Sequence, residues 1–267
     1  MLRHVPYLKY RKNRETEQVL LTCVATASSY PGPVLMSEIN QLAAGGDCPQ
    51  TRILVSDFDS TMTRYDFYDL VRQRWPVPPD DDPWQHYVAG RITHFEALAA
   101  IFARIRTDEP SLLELAQEME LDPLLPEAVR RLREGGWEIV VASAGCAWYI
   151  QHLLKQAGVS LELHANPGRF VPDQGLRMVL PEASRFFNRQ TGIDKTGVMR
   201  DALRRGTSVA FAGDGRPDLE PALLAPSARR FARGWLADAL RGQGQAFQAF
   251  ETWSQIAHQL LTQDSTC

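Results

Sequence analysis

The chain has 267 residues, 44% apolar and 23% charged, with a formal net charge of -3 and a pI near 6.1. At roughly 150 residues per domain, that length fits one large domain or a domain carrying an insert. The slight acidity excludes the basic face of a nucleic-acid binder, and no stretch approaches the ~20 apolar residues of a membrane-spanning helix. Its four cysteines are scattered without a C-x-x-C pair, so neither a zinc site nor a disulfide framework is indicated. The expectation is a soluble, cytoplasmic α/β protein.

Residues 1–50 read as an N-terminal extension. Arg3–Arg14 collects five Lys/Arg, and Ser28–Asp47 is rich in Ser, Pro, Gly and Ala. The basic start, the apolar run Val19–Ala27 and Ala25-Thr26-Ala27 are the parts of a secretory signal. That run is only nine residues long and is interrupted by Thr22, Cys23 and Thr26, so a poorly packed extension or a mis-called start is the preferred reading. A short helix over Leu35–Ala44 is expected, and no chemistry.

From Thr51 onward, strands alternate with helices. Ile53-Leu54-Val55-Ser56 is an apolar, β-branched run of the kind that forms a buried parallel strand. About sixty residues of helical periodicity follow: Phe67, Leu70, Val71 and Trp75 share one face, and Phe95, Leu98, Phe102 and Ile105 another. Pro76–Pro83, with its three aspartates, separates them. A crossover needs only a dozen or so residues, so 66–122 is expected to be a helical cap inserted into a core made of 51–65 and 123–267. A helix over Pro126–Glu134, stopped by Gly135-Gly136, leads into a second strand, Glu138–Ala142. A helix over Thr196–Arg205 leads into a third, Val209–Ala212. The predicted class is a doubly wound parallel α/β sheet with a small inserted cap.

Each strand ends in a polar cluster: Asp57-Phe-Asp59-Ser-Thr61, Ser143-Ala144-Gly145 and Gly213-Asp214-Gly-Arg-Pro-Asp218. Open α/β sheets bind ligands just beyond the carboxyl ends of their strands. Asp57, Asp59, Asp214 and Asp218 converging there would repel one another, and a divalent cation is the natural counter-charge. All-oxygen ligation without His or Cys favours Mg²⁺. Asp57 and Asp59 share one side of an extended chain, so one carboxylate can attack phosphorus while the other protonates the leaving oxygen and later activates water. Lys195, Ser143 and the nearby backbone N–H groups of Ala144 and Gly145 would meet phosphoryl oxygens. Taken singly, D-x-D-x-T is a turn with a helix cap, Ser143 an N-cap and Lys195 a solvated helix residue; the ordered series is what points to chemistry.

That series resembles the four motifs of the haloacid dehalogenase superfamily of phosphatases, over residues 52–262. The cap between the first two motifs is similar to the phosphoserine phosphatase-like branch. The resemblance implies Asp57 as nucleophile and Asp59 as general acid/base, with Thr61, Ser143 and Lys195 as phosphate contacts. It implies Mg²⁺ held by Asp57, the Asp59 backbone carbonyl and Asp214, with Asp218 supporting that shell and Lys195. Where phosphoserine phosphatases carry a cap Glu for the substrate amine, this chain has Asp66. An Asp there is similar to the methionine-salvage phosphatases acting on 2-hydroxy-3-keto-5-methylthiopentenyl-1-phosphate and to related thiamine-phosphate phosphatases. Gly90–Glu96, Gly234–Asp238 and Phe250–Trp253 also resemble that group.

The expected partner is therefore a small phosphorylated metabolite, for a monomer or homodimer that engages neither nucleic acid nor membrane. Phosphoserine hydrolysis and phosphotransfer to an alcohol through the same intermediate are the alternatives. The histidines are read as surface or capping residues, with His94 the one to test. Trp75 and Trp84 are read as packing residues, Asp80–Asp82 as a solvated loop, and Arg229, Arg230 and Arg233 as facing solvent.

Overall fold

The computed structural model describes residues 51–265; the expected N-terminal extension, with its signal-like run and its helix over 35–44, lies outside them. Six parallel strands form one sheet: β1 (Arg52–Ser56), β2 (Trp137–Cys146), β3 (Glu162–Asn166), β8 (Ser208–Gly213), β9 (Arg230–Ala232) and β10 (Gln248–Ala249). Their spatial order is β10-β9-β8-β1-β2-β3. The chain runs outward from β1 through β2 to β3, then returns to β8 on the other side of β1. The reversal falls between β1 and β8, where crossovers diverge to opposite faces and leave a crevice at the strands' carboxyl ends.

Alternation along β1 explains the layers. Leu54 faces a core shared with α5 (Leu125–Glu134), α6 (Ala147–Gln156) and α10 (Trp253–Ser265). Ile53 and Val55 face the opposite core, built with α7 (Lys195–Arg205), α8 (Leu219–Leu224) and α9 (Gly234–Gly242). Successive strand residues point to opposite faces, and β1 is apolar on both because both are covered. The indole of fully buried Trp253 donates to Ser56 Oγ at 3.0 Å, so the polar strand residue below the site is satisfied.

Between β1 and β2 lie α1 (Phe67–Arg74), α2 (Pro83–Val88), α3 (His94–Phe102) and α4 (Glu109–Gln117). Their starts follow from capping chemistry. Asp66, Asp82 and Asp108 each accept a backbone N–H of the first turn, and Thr93 forms a reciprocal capping box with Glu96. The excursion is closed at its base by an antiparallel bridge, Thr63 to Leu121, and by Asp122 N donating to Met62 O at 3.0 Å. Two short hairpins, β4 (Gly168–Val171) with β5 (Gly175–Met178) and β6 (Phe187–Asn188) with β7 (Gly192–Ile193), lie between β3 and α7.

Among the described residues the three predicted strands and the helices before β2 and β8 are present, longer by one residue or more, and β2 runs on through the Ser143 motif to Cys146; α1 and α3 stop before Trp75 and Ile105, the last residues of their predicted faces. Three readings are corrected. Asp82 is buried rather than solvated: it caps α2 and accepts from Arg72 at 2.6 Å. His94 is buried too, under Trp84 and Tyr87. The arginines also turn inward. Arg230 is buried and donates to the carbonyls of Ala222 and Ala225 at 2.7 and 2.8 Å. Arg229 pairs with Asp264 at 2.8 Å, and Arg233 binds the loop after β1. A guanidinium has five donors in a fixed fork, so it can gather several loop carbonyls where a hydrophobic side chain would leave them unpaired.

Candidate active site

The loop after β1 turns back on itself through Thr61 and Met62, whose N–H groups donate to Phe58 O at 3.2 and 2.8 Å. Ser60 takes φ 51° to make that turn. Arg233 holds it from outside: its guanidinium donates to the carbonyls of Ser60, Thr63 (2.7 Å), Arg64 (3.2 Å) and Glu251 (2.7 Å). Asp57 N donates to Ala212 O at 2.9 Å, which continues the β1–β8 ladder and sets Asp57 beside the β8 loop.

Lys195, the first residue of α7, is buried between two carboxylates. Its Nζ lies 2.6 Å from Asp57 Oδ1 and 2.7 Å from Asp218 Oδ1. The second Asp218 oxygen accepts the N–H groups of Asp214 and Gly215 at 3.2 and 2.9 Å, so both oxygens of this carboxylate are engaged. Thr61 Oγ1 sits 3.5 Å from Asp57 Oδ2 and 3.4 Å from Asp214 Oδ1. Carboxylate oxygens of Asp57, Asp214 and Asp218 lie within 4.8 Å of one another. Asp57 Oδ2 and Asp214 Oδ1, met only by the long Thr61 contacts, are the least engaged oxygens of this cluster for a cation.

Electrostatics agree. Burial raises the Asp57 carboxyl above its usual range despite Lys195, and pushes Asp218 up to about 6 against the same lysine. Asp214 is held well above the carboxylate range by burial, then by Asp57 and Asp218. Burial works against the Lys195 charge, yet Asp218 and Asp57 outweigh it and raise the ammonium. One lysine cannot neutralise this many buried anions; an oxygen-ligated divalent cation fits both the charge and the donor set.

Asp59 has a separate environment. Its Oδ1 accepts from Tyr149 Oη at 2.8 Å and Phe67 N at 3.4 Å, and its Oδ2 lies 3.0 Å from Tyr149 Oη and 3.3 Å from Ser143 Oγ. Burial raises the Asp59 carboxyl, partly opposed by these donors, Tyr149 first. Burial and the Asp59 charge in turn hold the Tyr149 phenol well above its usual range, so it stays a donor. Ser143 Oγ accepts Gly145 N at 2.9 Å. A methyl group on Gly145 would fall against the Tyr149 hydroxyl and 2.7 Å from Asp59 Oδ2. Gly145→Ala should therefore displace both groups: we expect kcat/KM to fall by about 10²-fold, the scale of a ~1 Å misplacement in a site. Circular dichroism should stay unchanged, and near-wild-type rates would contradict the close approach.

These groups floor a cavity of about 290 Å³ at the β1–β8 reversal. Asp57, Asp59, Asp66, Ser143, Ala144, Gly145, Lys195, Asp214 and Asp218 all line it. Thr61 does not; its hydroxyl stands behind Asp57 and Asp214. Asp66 caps α1 through Tyr68 N at 2.9 Å, and burial and Asp59 hold its carboxyl well above the ordinary range.

The opposite wall comes from the excursion between β1 and β2: Tyr68, Trp84, His94, Leu98 and Phe102. Trp84, read as packing from sequence, thus faces the cavity, with its ring stacked on Tyr68 at 4.3 Å. Burial, with a contribution from Lys195, holds the His94 imidazole down at about 3. Tyr149, and Tyr68, Leu98 and Phe102 of this wall, were missed from sequence as site residues. Tyr149 did carry a signal, a hydroxyl-bearing aromatic on a buried helix face, which calls for a polar partner.

The family profile of haloacid dehalogenase-like hydrolases matches residues 54–223. No curated protein matches the chain significantly. Among solved structures, a probable phosphoserine phosphatase from Vibrio cholerae is 19% identical with a TM-score of 0.58, over 83% of this chain and 69% of that one. A HAD-family hydrolase from Salmonella enterica serovar Typhi is 18% identical with a TM-score of 0.57, over 76% and 68%. Phosphoserine phosphatase from T. onnurineus is 18% identical with a TM-score of 0.54, over 81% and 97%. At this identity the likeness concerns the fold.

Proposed function

The chain belongs to the haloacid dehalogenase-like hydrolase family, and on that premise we propose that it is a Mg²⁺-dependent phosphomonoesterase working through an aspartyl-phosphate on Asp57. The observation that carries this reading is Lys195 bridging Asp57 and Asp218 at 2.6 and 2.7 Å beside a third, separately hydrogen-bonded aspartate, Asp59. Two carboxylates in distinct surroundings are suited to distinct roles.

The phosphoryl group of the substrate binds among Lys195, the Ser143 hydroxyl and the N–H groups of Ala144 and Gly145, while Thr61, outside the cavity lining, acts through its hydroxyl on Asp57 and Asp214. A carboxylate oxygen of Asp57 forms a bond to phosphorus as the bond to the leaving oxygen breaks. Asp59, whose carboxyl burial raises above its usual range, gives a proton to that oxygen, and the alcohol departs. Asp59, now a carboxylate, takes a proton from water as the water oxygen attacks phosphorus, releasing phosphate and regenerating Asp57. Mg²⁺, held by Asp57, the Asp59 backbone carbonyl and Asp214, with Asp218 supporting, would neutralise charge on the phosphoryl oxygens.

Residues 66–122 act as a cap that covers the reacting groups and excludes water until the intermediate has formed. The substrate is a small phosphorylated metabolite. Asp66 in the cap and the aromatic wall support a methionine-salvage or thiamine-phosphate type of ester over phosphoserine. Release of inorganic phosphate across several dozen phosphorylated metabolites, with and without alcohol acceptors, tests this. Turnover of none would overturn the reading, and phosphoryl transfer to the acceptors would favour a phosphotransferase.

EDTA should silence the enzyme and Mg²⁺ restore it. Independently of activity, Mg²⁺ should raise the melting temperature of the EDTA-treated protein. Ligand at 100 times Kd contributes about 2.7 kcal/mol to the folded state, and an unchanged melting curve would count against the site.

A further inference from the structure

We propose that Tyr149 is a positioning residue that aims the Asp59 carboxyl at the leaving oxygen, a role resting on the phosphatase reading above. Its hydroxyl accepts Cys146 N at 3.2 Å, a group that can only donate, so the phenolic proton is left to point at Asp59. There it spans both carboxyl oxygens, at 2.8 and 3.0 Å. The ring is fixed by aromatic neighbours from the excursion between β1 and β2. Phe67 lies 4.3 Å away, Phe102 stands edge-on at 6.3 Å, and the side chain is 1% exposed.

The substrate makes this contact matter. Of the three groups that hold Asp59, Ser143 is needed by the phosphoryl group once substrate binds. Phe67 N, at 3.4 Å, is the longest of the three contacts. Tyr149 is then the short hydrogen bond that remains. The hydroxyl keeps its own proton throughout. Asp59 alone passes a proton to the departing oxygen as the phosphorus–oxygen bond breaks and the phosphoryl group moves to Asp57. A carboxyl free to rotate would spend less time facing that oxygen.

The test compares two esters on one variant. An alkyl phosphate leaves as a strongly basic alkoxide and needs the Asp59 proton; p-nitrophenyl phosphate leaves as a stabilised phenolate and does not. In Tyr149→Phe, kcat/KM should fall roughly 10- to 100-fold for the alkyl ester, within the worth of a general acid. For p-nitrophenyl phosphate the fall should stay under about 3-fold, since that step draws little on the acid. The ratio is internal, so a partly folded preparation lowers both rates alike and leaves it unchanged. Ile150→Val, a neighbouring core change that spares the hydroxyl, should leave the ratio at the wild-type value. In an Asp59→Asn background, Tyr149→Phe should add no further selectivity. Equal losses on both esters, or selectivity persisting without Asp59, would overturn the assignment. Wild-type protein inactive on both esters would overturn the phosphatase reading itself, whereas activity on both with no selective loss overturns only the role of Tyr149.

Discussion

Asp57→Asn is expected to abolish turnover of every phosphomonoester, a loss on the order of 10⁴-fold or more, as when a nucleophile is removed from a catalytic unit. The amide keeps the size of the carboxylate and one acceptor oxygen, so Lys195 retains a partner. It lacks the anionic oxygen that the proposed nucleophile would use on phosphorus. The fold should survive, because the Asp57 carboxyl is raised by burial and by its neighbour Asp59, with Lys195 opposing them. Neutralising it also relieves repulsion with Asp214. The melting temperature should accordingly hold or rise while no phosphorylated enzyme can be trapped by rapid acid quench. Activity above about one part in a hundred, far outside the loss a missing nucleophile brings, would sink the nucleophile assignment.

Lys195→Met should damage both stability and rate. The lysine side chain is 4% exposed, and its ammonium is the common partner of Asp57 and Asp218. Methionine fills similar space but leaves two buried carboxylates facing each other, and removing one member of a buried ion pair costs about 3–5 kcal/mol. For the metal-free protein we expect a loss of that order in chemical denaturation. Loss of a preorganised charge on the phosphoryl group should lower kcat/KM by about 10²–10³-fold. Mg²⁺ should recover part of the stability, since it shares the neutralisation of the same anions, but not the rate. A variant as stable as wild type in EDTA would mean that the bridge contributes nothing to the folded state.

Much of this architecture was legible in the chain. β1 declared itself because a strand buried on both faces has to be apolar at every position, as Ile53, Leu54 and Val55 are. The site aspartates were legible because their spacing is local: Asp57 and Asp59 sit two apart, and Gly213–Asp218 forms one turn. Contacts made by chemistry distant in sequence were not. Arg233 reads as one more surface arginine until the fold carries it 170 residues back to Thr63. His94 and Asp82 read as polar surface until helices close over them. Tyr149 reads as an apolar helix position until its hydroxyl is found 90 residues away from its own place in the chain, against Asp59.

The -3 charge and 267 residues therefore stand in a sharper light. By itself the sequence determined the strand–motif order, the parallel α/β class, the identity of the acidic groups and the length of the excursion between β1 and β2, because each is written in local periodicity or spacing. Only the tertiary structure decided which carboxylates share Lys195, which oxygens remain for a cation, what aims Asp59, and which aromatic side chains face the reacting groups. Those outcomes depend on burial and on distances across the β1–β8 reversal. A net charge summed over the whole chain is blind to them: it averages a few buried, mutually repelling anions with dozens of charges that water screens.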